Sequence, residues 1–126
     1  MIADDESLIR QAYTDGFTRA GFDVQTAVDG VEALEKIHSA PPEIILLDII
    51  MPRKTGFDVL KELKSDSKLK SIPVVILSNL SQATDEVEVR RLGASDFFVK
   101  SDFSLKELVD RVRDMMGTKP AESTTS

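Results

Sequence analysis

Five polar residues stand where apolar runs stop: Asp4 and Asp5 after Met1-Ile2-Ala3, Asp48 after Ile44-Ile45-Leu46-Leu47, Ser78 after Val74-Val75-Ile76-Leu77, and Lys100 after Phe97-Phe98-Val99. Carboxylates brought together repel one another and raise each other's pKa unless a cation sits among them, so the acidic members of this set call for a hard metal ion. Mg²⁺ suits them, because it takes a few carboxylate oxygens, keeps waters and leaves positions open for phosphoryl oxygens. The chain has no cysteine and a single histidine, His38, so a zinc or copper centre has no ligand set. Taken singly, Asp4 or Asp5 reads equally well as a helix cap, Asp48 as a turn residue, Ser78 as a cap and Lys100 as a solvated lysine. Their joint placement at run ends is what those separate readings do not explain.

The runs that precede these residues are continuously apolar, the pattern of strands covered on both faces. With the weaker Val24-Gln25-Thr26-Ala27 and the stub Met1-Ile2-Ala3, they make five candidate strands. Helical spacing fills the gaps: Leu8, Ile9, Ala12, Tyr13 and Phe17; then Val31, Leu34 and Ile37; then Phe57, Leu60 and Leu63 within 56–64; then 82–92, stopped by Gly93. The last helix has a capping box at Ser104 and Glu107 and an apolar face of Leu105, Leu108, Val109, Val112 and Met116, ending at Gly117. Strands alternating with helices predict a doubly wound (βα)₅ sandwich around a parallel sheet. In such sheets the crevice at the carboxyl ends of the strands is the binding site, and the five polar residues would meet there.

Composition narrows the classes. The chain of 126 residues carries 16 Lys plus Arg against 22 Asp plus Glu, a net charge of −6 that disfavours direct contact with nucleic acid or anionic lipid. Hydrophobic residues at 41% and charged residues at 30% are those of a folded soluble domain, and one domain is expected over 1–117. No apolar run approaches the roughly 18 residues of a membrane span, and a cytoplasmic location is expected. Residues 118–126, nearly devoid of apolar side chains, are expected to form a disordered tail.

Asp4-Asp5, Asp48 within Leu46-Leu47-Asp48-Ile49-Ile50-Met51-Pro52, Ser78 and Lys100 together resemble the active-site set of the receiver domains of bacterial two-component response regulators. Asp29-Gly30-Val31-Glu32-Ala33-Leu34, Gly56 and Gly93-Ala94 extend the likeness from Met1 to about Gly117. The resemblance implies a flavodoxin-like sheet of strand order 2-1-3-4-5 and a phosphorylation switch of the single-domain type, catalysing only its own modification. It makes Asp48 the phosphoacceptor, attacking a phosphohistidine on a sensor histidine kinase or histidine phosphotransfer protein. Asp4, Asp5, Asp48 and the backbone carbonyl of Ile50 would hold Mg²⁺, while Lys100 and Ser78 contact the phosphoryl oxygens. Phe97 becomes the switch aromatic that alters the face read by a downstream protein partner. The alternative is a receiver-like interaction module that works without phosphate. An aspartyl phosphatase is disfavoured, because Ile50 stands where its second aspartate would be, and no glycine-rich phosphate loop is present.

Three departures from the family pattern carry expectations of their own. The first strand is unusually short: at about 3.3 Å per residue it spans roughly 10 Å, which predicts either reduced stability or compensating self-association, as a homodimer or by strand exchange. Ser101 stands where family members usually have a cis proline. A cis bond before serine costs about 2.5–4 kcal/mol, so Lys100 is expected on a trans loop, with Asp102 pulling at its ammonium. Ile50 and Leu80 are apolar where side chains influence the hydrolytic water, which predicts slow self-dephosphorylation.

Overall fold

The computed structural model describes residues 1–79 and 83–117. Five strands alternate with helices: β1 (Ile2–Ala3), α1 (Ser7–Arg19), β2 (Thr26–Ala27), α2 (Gly30–Ser39), β3 (Ile45–Asp48), α3 (Gly56–Ser65), β4 (Val74–Ser78), α4 (Ala83–Arg91), β5 (Asp96–Val99) and α5 (Leu105–Met116), with a 3₁₀ turn at Lys100–Asp102. All pairings are parallel, and the order is β2-β1-β3-β4-β5. The expected fold and strand order are therefore observed, short first strand included. The predicted fourth helix began at Gln82, which lies outside the described residues.

Alternation along each strand splits the core in two. Ala3, Leu47, Ile76 and Phe97 face α2, α3 and α4 through Ile37, Leu60, Leu63 and Val89. Ile2, Leu46, Val75, Leu77 and Phe98 face α1 and α5 through Phe17, Leu108, Val109 and Val112. Burying side chains such as Ile45, Leu47 and Leu60, each fully enclosed, contributes about 1.5–3 kcal/mol apiece. The first helix departs from its predicted apolar face: Phe17 is buried, but Leu8 is 82% exposed beside the carboxyl edge of the sheet.

Local chemistry sets the helix ends. Asp29 caps α2 by accepting from the Glu32 amide at 2.8 Å. Thr55 with Asp58 and Ser104 with Glu107 form reciprocal capping boxes on α3 and α5, the latter as the sequence predicts. Gly117 closes α5 in the left-handed conformation.

The register carries the polar residues to one edge. Ala3 lies opposite Leu47, and one residue further on Asp4 and Asp48 stand side by side. Ser78 is paired with Val99, immediately before Lys100. Because β2 and β3 lie on opposite sides of β1, Asp4 and Asp48 flank the point where the winding reverses.

At the opposite, amino edge of the sheet a cleft of about 620 Å³ opens among Ile2, Phe17, Phe22, Pro42, Ile44 and Val112. The Met1 ammonium is buried beside it, donating to the Ile44 carbonyl at 3.1 Å, and burial lowers its pKa to about 6. An apolar strand segment added upstream would fill the cleft and turn this charge into an amide. Such an extension should raise the melting temperature by about 5 °C or more, and an unchanged value would show that the cleft carries no penalty.

Candidate functional site

Asp4, Asp48 and Lys100 form a nearly dry knot at the carboxyl edge. Their side chains are exposed by only 1%, 8% and 5%. The Lys100 ammonium donates to Asp4 Oδ2 at 2.7 Å and to Asp48 Oδ2 at 3.2 Å, and reaches Glu6 Oε1 at 3.4 Å. The remaining oxygens are also held: Asp4 Oδ1 accepts from the Glu6 amide at 2.9 Å, and Asp48 Oδ1 from the Ile50 amide at 3.4 Å. Arg10 of α1 donates to the Asp4 carbonyl at 2.9 Å, fixing the turn that leaves β1.

The electrostatics follow from crowding. Carboxylate oxygens of Asp4, Glu6 and Asp48 lie within 4.8 Å of one another. At an effective dielectric constant near 20, two such charges repel by about 3–4 kcal/mol. Burial, reinforced by the Asp4 charge and opposed by Lys100, pushes the Asp48 pKa up to about 6. For Lys100, burial alone would lower the pKa, but the hydrogen bond it donates to Asp4 and the charges of Asp48 and Asp4 outweigh it and raise the value. The donor set is hard, anionic oxygen with partial neutralisation from one lysine, which is the chemistry that suits Mg²⁺.

Sequence-predicted residues fall into place unequally. Asp4, Asp48 and Lys100 meet. Ser78 is fully buried at the end of β4, and the Ile50 backbone follows Asp48 on the same edge while its side chain is 56% exposed. Asp5 is exposed, and Glu6 rather than Asp5 shares the cluster with Asp4 and Asp48. The uninterrupted acidic run Asp4-Asp5-Glu6 was the available signal, and the turn closed by the Glu6 amide on Asp4 Oδ1 keeps Glu6 beside Asp4. Phe97 is buried against the α2–α4 layer, whereas Phe98 packs on Phe103, ring centroids 4.5 Å apart. No cis peptide occurs among the described residues, so Lys100 is indeed presented by a trans loop. Asp102 is exposed and is not among the ion-pair partners of Lys100 in the described residues. His38 lies exposed on α2, away from the cluster, and Leu80 falls outside the described residues.

The β3–α3 connection is pressed against the site. The Gly56 amide donates to the Ile49 carbonyl at 2.7 Å, and a Cβ at Gly56 would collide with the Asp48 carbonyl oxygen and stand 2.7 Å from Ile49 Cα. Glycine is what lets α3 begin directly beneath the acidic edge.

A doubly wound sheet whose carboxyl edge gathers buried carboxylates around one lysine is an α/β module with a hard, anionic site at its strand ends. The chain belongs to the response regulator receiver domain family, whose sequence profile matches residues 1–113. It is 40% identical over 116 residues to "Response regulator RR06" of Streptococcus pneumoniae, covering 92% of this chain and 52% of that protein. The chain thus spans about half the length of curated relatives of this kind. It is also 37% identical over 113 residues to "Protein PilG" of Pseudomonas aeruginosa, covering 90% of this chain and 83% of that one. The receiver domain of the Francisella response regulator 1452 superposes with a TM-score of 0.85 at 34% identity, over 94% of this chain and 96% of that one. Family and site together make the module a phosphorylation-dependent switch that acts on itself rather than a conventional enzyme, and connect it with phosphorelay signalling. No helix among the described residues is long and apolar enough to cross a membrane.

Ionised Asp48 has a testable cost. Its folded pKa of about 6 lies above the model-peptide value of 3.8, so its contribution to stability is present in full below pH 3.8 and is lost as pH rises through 6. In metal-free protein, Asp48→Asn should raise unfolding stability by about 2 kcal/mol at pH 7.5 and leave it nearly unchanged at about pH 4, as read from urea melts. Equal effects at both pH values would remove the charge argument.

Proposed function

We propose that Asp48 is the phosphoacceptor of a Mg²⁺-dependent receiver, with Asp4, Asp5, Asp48 and the Ile50 carbonyl as the protein's ligands to the cation. The observation that carries this reading is the buried Asp4–Lys100–Asp48 knot, because two carboxylates held dry at one point need cationic chemistry to be of use. Phosphoryl transfer proceeds through a loose transition state and depends on an aligned nucleophile and on charge stabilisation at the equatorial oxygens. When bound, Mg²⁺ supplies charge at those oxygens. Asp48 presents the attacking oxygen, Lys100 holds the developing charge from the other side, and Ser78 donates its hydroxyl to a phosphoryl oxygen.

The donor is a sensor histidine kinase or histidine phosphotransfer protein, and the output is a changed face for a downstream protein partner. Arg90 of α4 and Arg111 of α5 both pair with the buried Asp96 of β5, at 3.3 and 2.9 Å, which favours α4, β5 and α5 moving as a unit, with Phe97 as the neighbouring switch. Residues 1–117 act as one receiver domain, in the cytoplasm and without direct contact to nucleic acid or membrane, while the expected tail at 118–126 lies outside the described residues. Homodimers, or exchange of a strand at the cleft beside β1, are the form of self-association this reading accommodates.

Acetyl phosphate with Mg²⁺ should add one phosphoryl group, detected by intact mass, and Asp48→Asn should abolish the addition. Unmodified wild-type protein under these conditions would favour a phosphate-independent interaction module instead. Ligand assignment is tested separately. Asp5→Asn should weaken Mg²⁺ binding by about tenfold or more and Glu6→Gln by less, as read by NMR titration, whereas the reverse order would give the ligand role to Glu6.

A further inference from the structure

The connection that carries Ile50 is held by a contact outside the acidic knot. Arg53 adopts φ 68°, the one non-glycine residue among those described with a left-handed backbone. That conformation is strained for an L residue with a side chain, and it needs compensation from its surroundings. The compensation is visible: Arg53 Nε donates to Asp29 Oδ2 at 2.9 Å, and its Nη2 lies 2.8 Å from the same oxygen. Asp29 is itself buried and fixed, because its other oxygen caps α2 through the Glu32 amide, and the backbone hydrogen bond from Glu32, with the Arg53 contact, holds its pKa below the ordinary carboxylate value. Close packing backs the same joint. A Cβ on Gly30, the first residue of α2, would collide with the Lys54 carbonyl oxygen, so the helix start is seated directly on the loop. Within the loop the Lys54 amide donates to the Pro52 carbonyl at 2.8 Å, closing a three-residue turn with Arg53 at its centre, the form of γ-turn that requires a positive φ there.

We propose that the Asp29–Arg53 ion pair is a brace that sets the β3–α3 loop, and with it the Ile50 carbonyl, in the geometry that receives the cation. Both are positioning residues: neither touches the acidic cluster, and they act through the loop between Asp48 and Gly56. The inference rests on the reading of the acidic edge as a Mg²⁺ site. It makes the amino end of α2 a point from which cation affinity can be tuned.

The strain at Arg53 gives the test its discrimination. Arg53→Gly removes the brace and the backbone strain together, so it should weaken Mg²⁺ binding by about two- to fivefold while leaving the melting temperature in EDTA unchanged or higher. Asp29→Asn, which keeps an oxygen to cap α2, should weaken binding to a similar degree from the other end of the pair. Arg53→Lys, which retains the charge, should fall between wild type and Arg53→Gly. Binding is read from amide shifts in an NMR titration of the full chain with MgCl₂, and the melt is followed by circular dichroism. A wild-type Mg²⁺ affinity retained by Arg53→Gly overturns the brace, as does a loss of affinity accompanied by a fall in melting temperature, since that is general loosening. Wild-type protein that binds no Mg²⁺ at all overturns the metal-site reading itself, a different result from either.

Discussion

A single buried ammonium holds the carboxyl edge of this sheet together. Asp4 and Asp48 are brought side by side by strand register, and without a cation their mutual repulsion and desolvation would make ionised carboxylates at that depth untenable. Lys100 meets both, with Glu6 at the rim as a third partner. The net result is incomplete compensation: Asp48 stays proton-prone while the lysine is firmly charged. Hard anionic oxygens only partly neutralised by one lysine are the donor set that suits an added divalent cation. The same reasoning separates a switch from an ordinary structural ion pair, which would be expected to satisfy both charges.

The rest of the fold serves to deliver those groups to one place. The residues concerned are far apart in sequence, up to ninety-six positions for Asp4 and Lys100, and only a parallel sheet with its winding reversal at β1 puts them on one edge. Fully enclosed aliphatic side chains on both faces fix β3 and β4 rigidly, whereas β1 contributes two residues and relies on its neighbours. The close seating of α3 under Asp48, which only glycine permits at position 56, sets the direction in which the chain leaves that residue. Function and stability are thereby segregated: the acidic knot lies at one end of the strands, and the cleft beside Met1 lies at the other.

Much of this was legible in the residues. Continuous apolar runs ending in Asp48, Ser78 and Lys100 identified three strands and their functional ends, because a strand covered on both faces has no room for polar residues until it emerges. The Ser104–Glu107 box and Gly117 fixed the last helix for equally local reasons. What escaped was tertiary. That Glu6 lies with Asp4 and Asp48 in one acidic cluster depends on how the chain turns after a two-residue strand, and the exposure of Leu8 depends on how α1 is rotated. The pairing of Asp29 with Arg53 joins residues twenty-four positions apart, and no periodicity announces it. Asp102, two positions from Lys100 in sequence, is exposed, and its nearness along the chain does not make it an ion-pair partner of Lys100 among the described residues.

The central claim is that the Asp4–Lys100–Asp48 knot is a cation and phosphoryl site rather than a structural ion pair. Crystals grown without divalent metal and then soaked in Mn²⁺, a stand-in for Mg²⁺ with a usable anomalous signal, test it directly. The account predicts one strong anomalous peak bonded to the Asp48 carboxylate and the Ile50 carbonyl, with the ammonium of Lys100 drawn away from Asp48. An anomalous map with no peak at this edge, and with Lys100 still bridging Asp4 and Asp48, would contradict it.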